Sequence, residues 1–142
     1  AAGGLFIGPM RTAYEIAAKY VTEREQFGTK IGNHQAIGFR LADMFIKIET
    51  SRLLAWRCAK TVDAHKPATK ESSALKLYVS EACVSVLGDA FQMIGGIAFT
   101  KDYPIERFIR DARVYTLFGG TSEVQRMIIS RAIMAQAARW VR

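Results

Sequence analysis

Cysteine and histidine are scarce in this sequence, with two of each among 142 residues. Cys58 and Cys83 lie far apart and lack the CxxC spacing of redox and metal sites, so we expect buried thiols in a reducing compartment rather than a disulfide framework. His34 and His65 have no cysteine or carboxylate at ligand spacing. We therefore expect no metal site in this chain.

Long uncharged apolar runs are also lacking. Asp89 interrupts the best candidate, which argues against a transmembrane helix of about 18 residues. Residues 1–10 contain glycines but no basic leader of the kind that signal and transit peptides carry. Half of the residues are apolar, which is typical of a globular protein, and the length fits one soluble domain over residues 1–142.

The charge balance is basic, with a net charge of +7 and a pI near 9.7. Lysines and arginines are scattered among acids along the chain rather than clustered. This pattern favours a solvated helical surface, and a patch that binds a polyanion is the alternative.

Apolar residues recur with helical periodicity over most of the chain. Steps of four and three from Ile37 onward predict one long helix, and a second series predicts another. The inner positions of the first are Ile37, Leu41, Met44, Ile48, Ser51, Ala55, Cys58 and Val62, and those of the second are Leu75, Val79, Ala82, Val86, Ala90 and Met93. Pro67 in the intervening turn predicts that the two helices form an antiparallel hairpin.

Further helices are predicted on either side of this hairpin. Residues 3–24 form the first, with a start that Pro9 bends or delays. Residues 105–115 form a shorter helix, and the last begins near Thr121, where Ser122 and Gln125 have the spacing of a capping box. No useful length alternates with a period of two. The predicted fold is an all-α, up-and-down four-helix bundle.

Five short motifs resemble, in order and spacing, the C-terminal helical domain of the acyl-CoA dehydrogenase family of flavoproteins. They are Arg24-Glu25-Gln26-Phe27-Gly28, His34-Gln35, Gln92-Met93-Ile94-Gly95-Gly96, Arg110-Asp111-Ala112-Arg113 and Gly120-Thr121-Ser122-Glu123. Together they span nearly the whole chain. The resemblance implies FAD as the cofactor and α,β-desaturation of an acyl-CoA substrate as the reaction. The N-terminal helical domain and the β-domain of that family have no counterpart in these residues.

The resemblance assigns FAD contacts to nine residues. Arg24 would bind the FAD pyrophosphate of a neighbouring subunit, Phe27 would pack near the flavin, and Gln35 would hydrogen-bond to the cofactor. The other six are Gln92, Gly95 and Gly96 under the adenosine half, and Thr121, Ser122 and Glu123 at the start of the last helix, where free N–H groups favour an anionic ligand. Ordinary alternatives stay open for all nine. A helix cap is the alternative for Arg24, for Gln92 with Gly95 and Gly96, and for the Thr-Ser-Glu run; a core position is the alternative for Phe27, and a helix-start residue for Gln35.

In the family that this chain resembles, most members have the sequence Tyr-Glu-Gly-Thr before the last helix. This chain has Phe118-Gly119-Gly120-Thr121 instead, so Gly119 stands at the position of the glutamate. Without a side chain Gly119 cannot be the catalytic base, but by position its backbone N–H would bond the thioester oxygen, and Phe118 to Gly120 would line the acyl thioester. Long-chain and isovaleryl-CoA members also have a small residue here and take their base from the preceding helix. The matching position falls about three residues before Ala1.

The acids of this chain are poor substitutes for that base. Glu15 and Glu23 lie more than three turns from the required helix position. Glu123 is near in sequence, but we expect its side chain to serve the helix start or FAD. We therefore assign no side-chain base within the chain.

The resemblance also implies electron-transfer flavoprotein as a partner, a homo-oligomer in the form of a dimer or homotetramer, and a place in fatty acid metabolism. The compartment would be the bacterial cytoplasm or the mitochondrial matrix. Two alternatives remain: a non-catalytic, FAD-contacting partner subunit of a hetero-oligomeric acyl-CoA dehydrogenase, and a relative repurposed to bind nucleic acid. The scattered charge disfavours the nucleic-acid alternative.

Overall fold

The computed structural model describes residues 3–140 and is almost entirely helical. In chain order the elements are α1 (Gly3–Glu23), β1 (Glu25–Gln26), β2 (Thr29–Lys30), α2 (Gln35–Asp63), α3 (Thr69–Ile94), α4 (Ile105–Tyr115) and α5 (Ser122–Ala137), with 3₁₀ turns at Ile31–Asn33 and Gly95–Phe99. The predicted all-α class is confirmed, with four long helices and the shorter α4. The position before Ala1 that was predicted to carry the base lies outside the described residues.

Helix α3 is the centre of the fold, because α1, α2, α4 and α5 all pack against it. The six inner positions predicted for it are all buried: Leu75, Val79, Ala82, Val86, Ala90 and Met93. The stripe predicted for α2 is buried at Met44, Ile48, Ser51 and Cys58. Val62, in the last turn of α2, is 54% exposed, so that stripe ends one turn earlier than predicted.

Three cross-helix contacts show that α2 and α3 form the predicted antiparallel hairpin. Arg40 donates to Asp89, Lys47 donates to Ser85, and the Cys58 sulfur lies 3.4 Å from the Ser72 oxygen. Numbers rise along α2 as they fall along α3, which only antiparallel helices allow.

Pro9 was predicted to bend or delay the start of α1, and the delay does not occur. The helix begins at Gly3 and continues through Pro9 to Glu23. Proline removes one backbone hydrogen bond at this point, and core packing of the surrounding turns offsets that loss, since Phe6 and Met10 are fully buried.

A β-hairpin with strands of two residues each lies between α1 and α2 and was not predicted. Glu25 pairs with Lys30 and Gln26 with Thr29 in antiparallel register. The turn residues Phe27 and Gly28 both have positive φ, 57° and 79°, as a type I′ turn requires. Strands this short carry no period-two pattern, so Gly28 was the only local signal.

Two predictions about composition can be compared with the packing. Both cysteines are free and buried, as predicted. The segment Thr69–Phe99 has the length and, with a mean hydropathy of 1.5 over its best window, the composition of a membrane span, although 44% of that window is buried inside the protein. Its place at the centre of the bundle accounts for this apolar composition.

Candidate functional site

The loop between α4 and α5 turns sharply at two glycines. Gly119 and Gly120 have φ values of 64° and 91°, a left-handed conformation that favours glycine. The carbonyl oxygens of both residues accept hydrogen bonds from Nε2 of Gln125, at 3.1 and 3.3 Å. The Gly120 oxygen also accepts from Nζ of Lys76 on α3 at 2.7 Å. Side chains from two helices therefore hold this loop through its backbone.

The amide groups of the same loop take no part in these contacts. Within residues 3–140, the N–H groups of Gly119, Gly120 and Thr121 have no hydrogen-bond acceptor. Gly119 is exposed, and a Cβ built on it would meet nothing within 4 Å. The loop thus offers backbone donors to a ligand oxygen beside the open space where a family carboxylate would project.

The first turn of α5 is capped by Thr121 rather than by Ser122, so the predicted capping box is wrong by one residue. The Thr121 side chain accepts from the Val124 N–H at 3.4 Å. The Ser122 N–H donates to the Thr116 carbonyl at 3.1 Å, and the Ser122 hydroxyl oxygen is buried without any partner. The available donors therefore lie in the glycine loop and at Ser122, not in a row of free helix amides.

Glu123 is held at the helix start. Hydrogen bonds from its own backbone N–H and from Thr121 lower the pKa of its carboxyl, and the charges of Arg126 and Lys76 act in the same direction. A carboxylate with a lowered pKa is a weak proton acceptor. This agrees with its assignment to the helix start rather than to base catalysis.

A second group of predicted residues meets at the opposite end of α3. Arg24, Gly95 and Gly96 line an open groove of about 420 Å³, together with Tyr20 and Met93 among others. The Arg24 side chain makes no hydrogen bond or ion pair with any of residues 3–140, which leaves its guanidinium available to an anion. Gly95 has a φ of 77°. No atom lies within 4 Å of the place that a Cβ would take at Gly95 or at Gly96, so a ligand can approach the backbone closely.

Phe27 stands out beside this groove. It is 92% exposed, which makes the core alternative for this residue wrong, and its φ of 57° is strained for a bulky side chain. Its ring lies 6.2 Å from that of His34 in an edge-on arrangement. An aromatic ring held outward at a backbone cost is the kind of outlier that marks a contact surface.

The two glutamines predicted to contact FAD are also exposed. Gln35 is the first residue of α2, directly after the N-cap His34, whose Nε2 is buried without a partner. Gln92 lies in the last turn of α3, next to the groove. Both side chains are free to hydrogen-bond to a ligand.

The predicted residues thus form two separate groups. One comprises Arg24, Phe27, Gln35, Gln92, Gly95 and Gly96, and the other Phe118, Gly119, Gly120, Thr121, Ser122 and Glu123. Lys76, beside the second group, and Gly95 in the first are 19 residues apart on α3, or roughly 28 Å at the helical rise. Orphaned donors and open glycines in both groups suit a ligand rich in phosphate and hydroxyl oxygens, such as FAD.

Lys76 and Gln125 are site residues that the sequence analysis missed. Lys76 occupies an inner position of α3 and is only 9% exposed. A lysine within an apolar stripe was a visible signal, because buried lysines require a special partner.

Comparisons with known proteins identify the family. The profile described as "Acyl-CoA dehydrogenase, C-terminal domain" matches residues 1–134. CarC, a subunit of the caffeyl-CoA reductase-Etf complex of Acetobacterium woodii, is 44% identical over 128 residues, which are 90% of this chain and 34% of CarC. The mitochondrial short-chain specific acyl-CoA dehydrogenase of Bos taurus is 41% identical over 124 residues, 87% of this chain and 30% of that enzyme.

The fold also recurs among solved structures. The FAD complex of PigA superimposes with a TM-score of 0.90 at 30% identity, over 94% of this chain and 35% of PigA. The 142 residues therefore span about a third of the length of the proteins that they match.

Proposed function

This chain belongs to the acyl-CoA dehydrogenase family as its C-terminal helical domain, and we propose that it is part of an FAD-dependent enzyme that desaturates acyl-CoA thioesters. The observation that carries the proposal is the Gly119 loop. Its amides lack acceptors within residues 3–140 while its carbonyls are fixed from behind by Lys76 and Gln125.

Removal of an α-proton from a thioester places negative charge on the thioester oxygen. The Gly119 N–H donates to that oxygen and stabilises the developing enolate, which acidifies a poor carbon acid. Because the donor belongs to the backbone, this role is independent of the missing side chain. FAD, when bound, would supply the acceptor for the hydride that leaves the β-carbon. Phe118 and Gly120 line the thioester on either side of the donor.

The base that accepts the α-proton comes from outside these 142 residues. Gly119 has no side chain that could accept a proton, and the carboxyl of Glu123 has a lowered pKa at the helix start. The open space at the Gly119 Cα leaves room for a carboxylate that enters from another segment. We propose a glutamate on the helix that continues α1 toward its N-terminal side, about three residues before Ala1.

The separation of the two residue groups supports a role for a neighbouring subunit. Thr121, Ser122 and Glu123 would contact the FAD that serves the Gly119 loop. Arg24 would bind the pyrophosphate of a second FAD and Gln92, Gly95 and Gly96 its adenosine half, because a separation of roughly 28 Å along α3 is too long for one compact site. Phe27 would pack near the flavin of that FAD, and Gln35 would hydrogen-bond to it. This arrangement makes an assembly of at least two copies necessary for complete cofactor sites.

The names of the relatives bear on direction and partners. CarC is a caffeyl-CoA reductase-Etf complex subunit, whereas the bovine relative is a dehydrogenase of mitochondria. We propose desaturation as the physiological direction and an electron-transfer flavoprotein as the partner. A bacterial cytoplasm or the mitochondrial matrix is the proposed compartment.

The experiment is purification of the protein that carries this chain, followed by flavin analysis and turnover assays. Saturated acyl-CoAs of different length are offered with an artificial electron acceptor, and the matching enoyl-CoAs are offered with a reductant. We expect bound FAD and turnover in at least one direction. A protein that retains no flavin and turns over no acyl-CoA in either direction would falsify the proposal.

The absent side chain at Gly119 favours one second candidate, a non-catalytic subunit that contributes FAD contacts to an active mate. Native mass spectrometry separates the two. A homo-oligomer with one FAD per chain supports the enzyme, whereas a mixed oligomer with one FAD per pair of chains supports the partner subunit.

A further inference from the structure

Lys76 is the most unusual charged residue of the described core. It lies on α3 with 9% of its surface exposed, and burial lowers the pKa of its ammonium while Glu123 and Glu81 oppose that shift. Within residues 3–140 no carboxylate oxygen is close enough to pair with it directly. Burial of an ammonium without a paired carboxylate opposes folding, so stability alone does not account for a lysine here.

The single hydrogen bond of Lys76 goes to the loop at Gly119. Its Nζ lies 2.7 Å from the Gly120 oxygen, and the two residues are 44 positions apart in sequence. We propose that Lys76 is a positioning residue that fixes the direction of the Gly119 N–H, an inference that rests on the proposed role of that N–H as the thioester donor.

Hydrogen bonds to the carbonyls of Gly119 and Gly120 also restrict the N–H groups of the loop. Each peptide unit is planar, so a fixed carbonyl also fixes the N–H of the residue that follows it. The held Gly119 carbonyl fixes the Gly120 N–H, and the held Gly120 carbonyl fixes the Thr121 N–H. Gly119 and Gly120 have little intrinsic preference for one backbone conformation, and two consecutive glycines would otherwise leave the loop soft. Lys76 holds the Gly120 carbonyl from α3, and Gln125 holds both carbonyls from α5. The Gly119 N–H belongs to the preceding peptide unit. This unit lies between the Phe118 N–H, which donates to the Val114 carbonyl, and the two held carbonyls, so these contacts together restrict the directions that the Gly119 N–H can take.

The charge of Lys76 strengthens this contact. A hydrogen bond from an ammonium is shorter and stronger than one from a neutral donor. A neutral side chain of similar size at this position would fill the core but leave the Gly120 carbonyl held by Gln125 alone. The expected consequence is a mobile donor loop in a fold that is otherwise intact.

The test uses the flavin-loaded protein that carries this chain and three variants. Lys76→Met removes the donor at similar volume, and Lys76→Gln keeps a neutral donor that is one bond too short to reach. Lys70→Met is the matched control, because Lys70 is the other lysine of α3 and bonds Gln136 rather than the loop.

The first measurement is hydrogen exchange of the peptide that contains Leu117, Phe118 and Ser122, whose amides are hydrogen-bonded in this fold. We expect exchange about tenfold faster in both Lys76 variants and unchanged in Lys70→Met. The second is steady-state kinetics with an acyl-CoA. We expect kcat to fall by about 10- to 100-fold in the Lys76 variants while KM changes by less than about threefold.

The outcomes separate this inference from the proposed function. If Lys76→Met and Lys70→Met are alike in loop exchange, Lys76 does not position the loop and the inference is overturned. If the unaltered protein turns over no acyl-CoA, the proposed function fails, and the exchange data alone decide the role of Lys76. If Lys76→Met does not fold, Lys76→Gln, which keeps a polar end group at this position, decides in the same way.

Discussion

Asp89 on α3 accepts a hydrogen bond from Arg40 on α2 at 2.7 Å, and Nζ of Lys47 lies 3.7 Å from its other oxygen. One carboxylate thus joins two cations of the neighbouring helix. Its side chain is 22% exposed, compared with 45% for Arg40, so solvent screens the ion pairs only in part. The same aspartate interrupts the apolar run of α3, because at this point the helix faces the two cations of α2.

Asp89→Asn is expected to lower the free energy of unfolding by about 1 kcal/mol, because the amide leaves two cations without a counter-charge. Chemical denaturation monitored by circular dichroism measures the change. Glu49→Gln is the matched control, since Glu49 pairs with Arg52 on an exposed surface of α2, and its effect should stay within about 0.5 kcal/mol. Equal losses of unfolding free energy in the two variants would show that the ion pairs of Asp89 between α2 and α3 contribute no more than an exposed pair.

Alanine substitution of three glycines should give three different results. Gly119→Ala costs about 1 kcal/mol, because φ is 64° but the Cβ meets open space. Gly120→Ala costs more, since φ is 91° and the Cβ would lie 2.7 Å from Nε2 of Gln125. Gly88→Ala, inside α3 with no atom near its Cβ, stabilises the fold by about 0.5–1 kcal/mol. Thermal unfolding checks this order, and any other ranking contradicts the loop geometry.

The two hydroxyl residues at the start of α5 should separate stability from cofactor binding. Thr121→Ala removes the N-cap that Val124 uses and lowers stability by about 1 kcal/mol. Ser122→Ala removes a buried hydroxyl oxygen that has no partner, so stability is unchanged or slightly raised. If that oxygen serves FAD, the same variant binds FAD more weakly. Retention of full FAD affinity by Ser122→Ala, measured by fluorescence titration, removes Ser122 from the cofactor site.

Phe27→Asn is expected to raise stability and weaken FAD binding. Asparagine tolerates the left-handed conformation, and Asn-Gly is the preferred pair for a type I′ turn, so unfolding should require about 0.5–1 kcal/mol more. The exposed ring is lost, and with it the proposed contact to a neighbouring FAD. Differential scanning calorimetry and flavin content are the two readouts. Phe27→Tyr, which keeps a ring, controls for the second, and unchanged flavin content in Phe27→Asn speaks against a cofactor role.

Cys83 should resist thiol reagents in the folded protein. Burial raises the pKa of its thiol to about 12, so at pH 8 the reactive thiolate is almost absent, and the side chain is inaccessible as well. We expect labelling by iodoacetamide at pH 8 to be at least about 100-fold slower in the native protein than in urea. Mass spectrometry of the labelled peptides distinguishes Cys83 from Cys58. Rapid native labelling of Cys83 would mean that α3 is not packed as described.

The long helices were predictable because burial against a common core imposes a period that the sequence records. All six inner positions of α3 were read from that period, whereas the span of α4 was read from the turn that precedes it at Pro104. The hairpin at Phe27 was not, since two-residue strands have no period to record. The cap of α5 was misplaced by one residue, because Thr121 and Ser122 offer the same hydroxyl and only the backbone angle at Thr121 selects one of them.

The sequence by itself determined the helical class, the buried positions and the absence of a carboxylate at Gly119, since these follow from residue type and spacing. Only the tertiary structure decided which groups meet. It placed Arg24 with Gly95 and Gly96 at one end of α3 and the Gly119 loop near the other, because helix packing brings together residues that no local pattern connects. It also showed that Lys76 reaches the Gly120 carbonyl from 44 positions away, a contact that depends on how α3 and α5 pack.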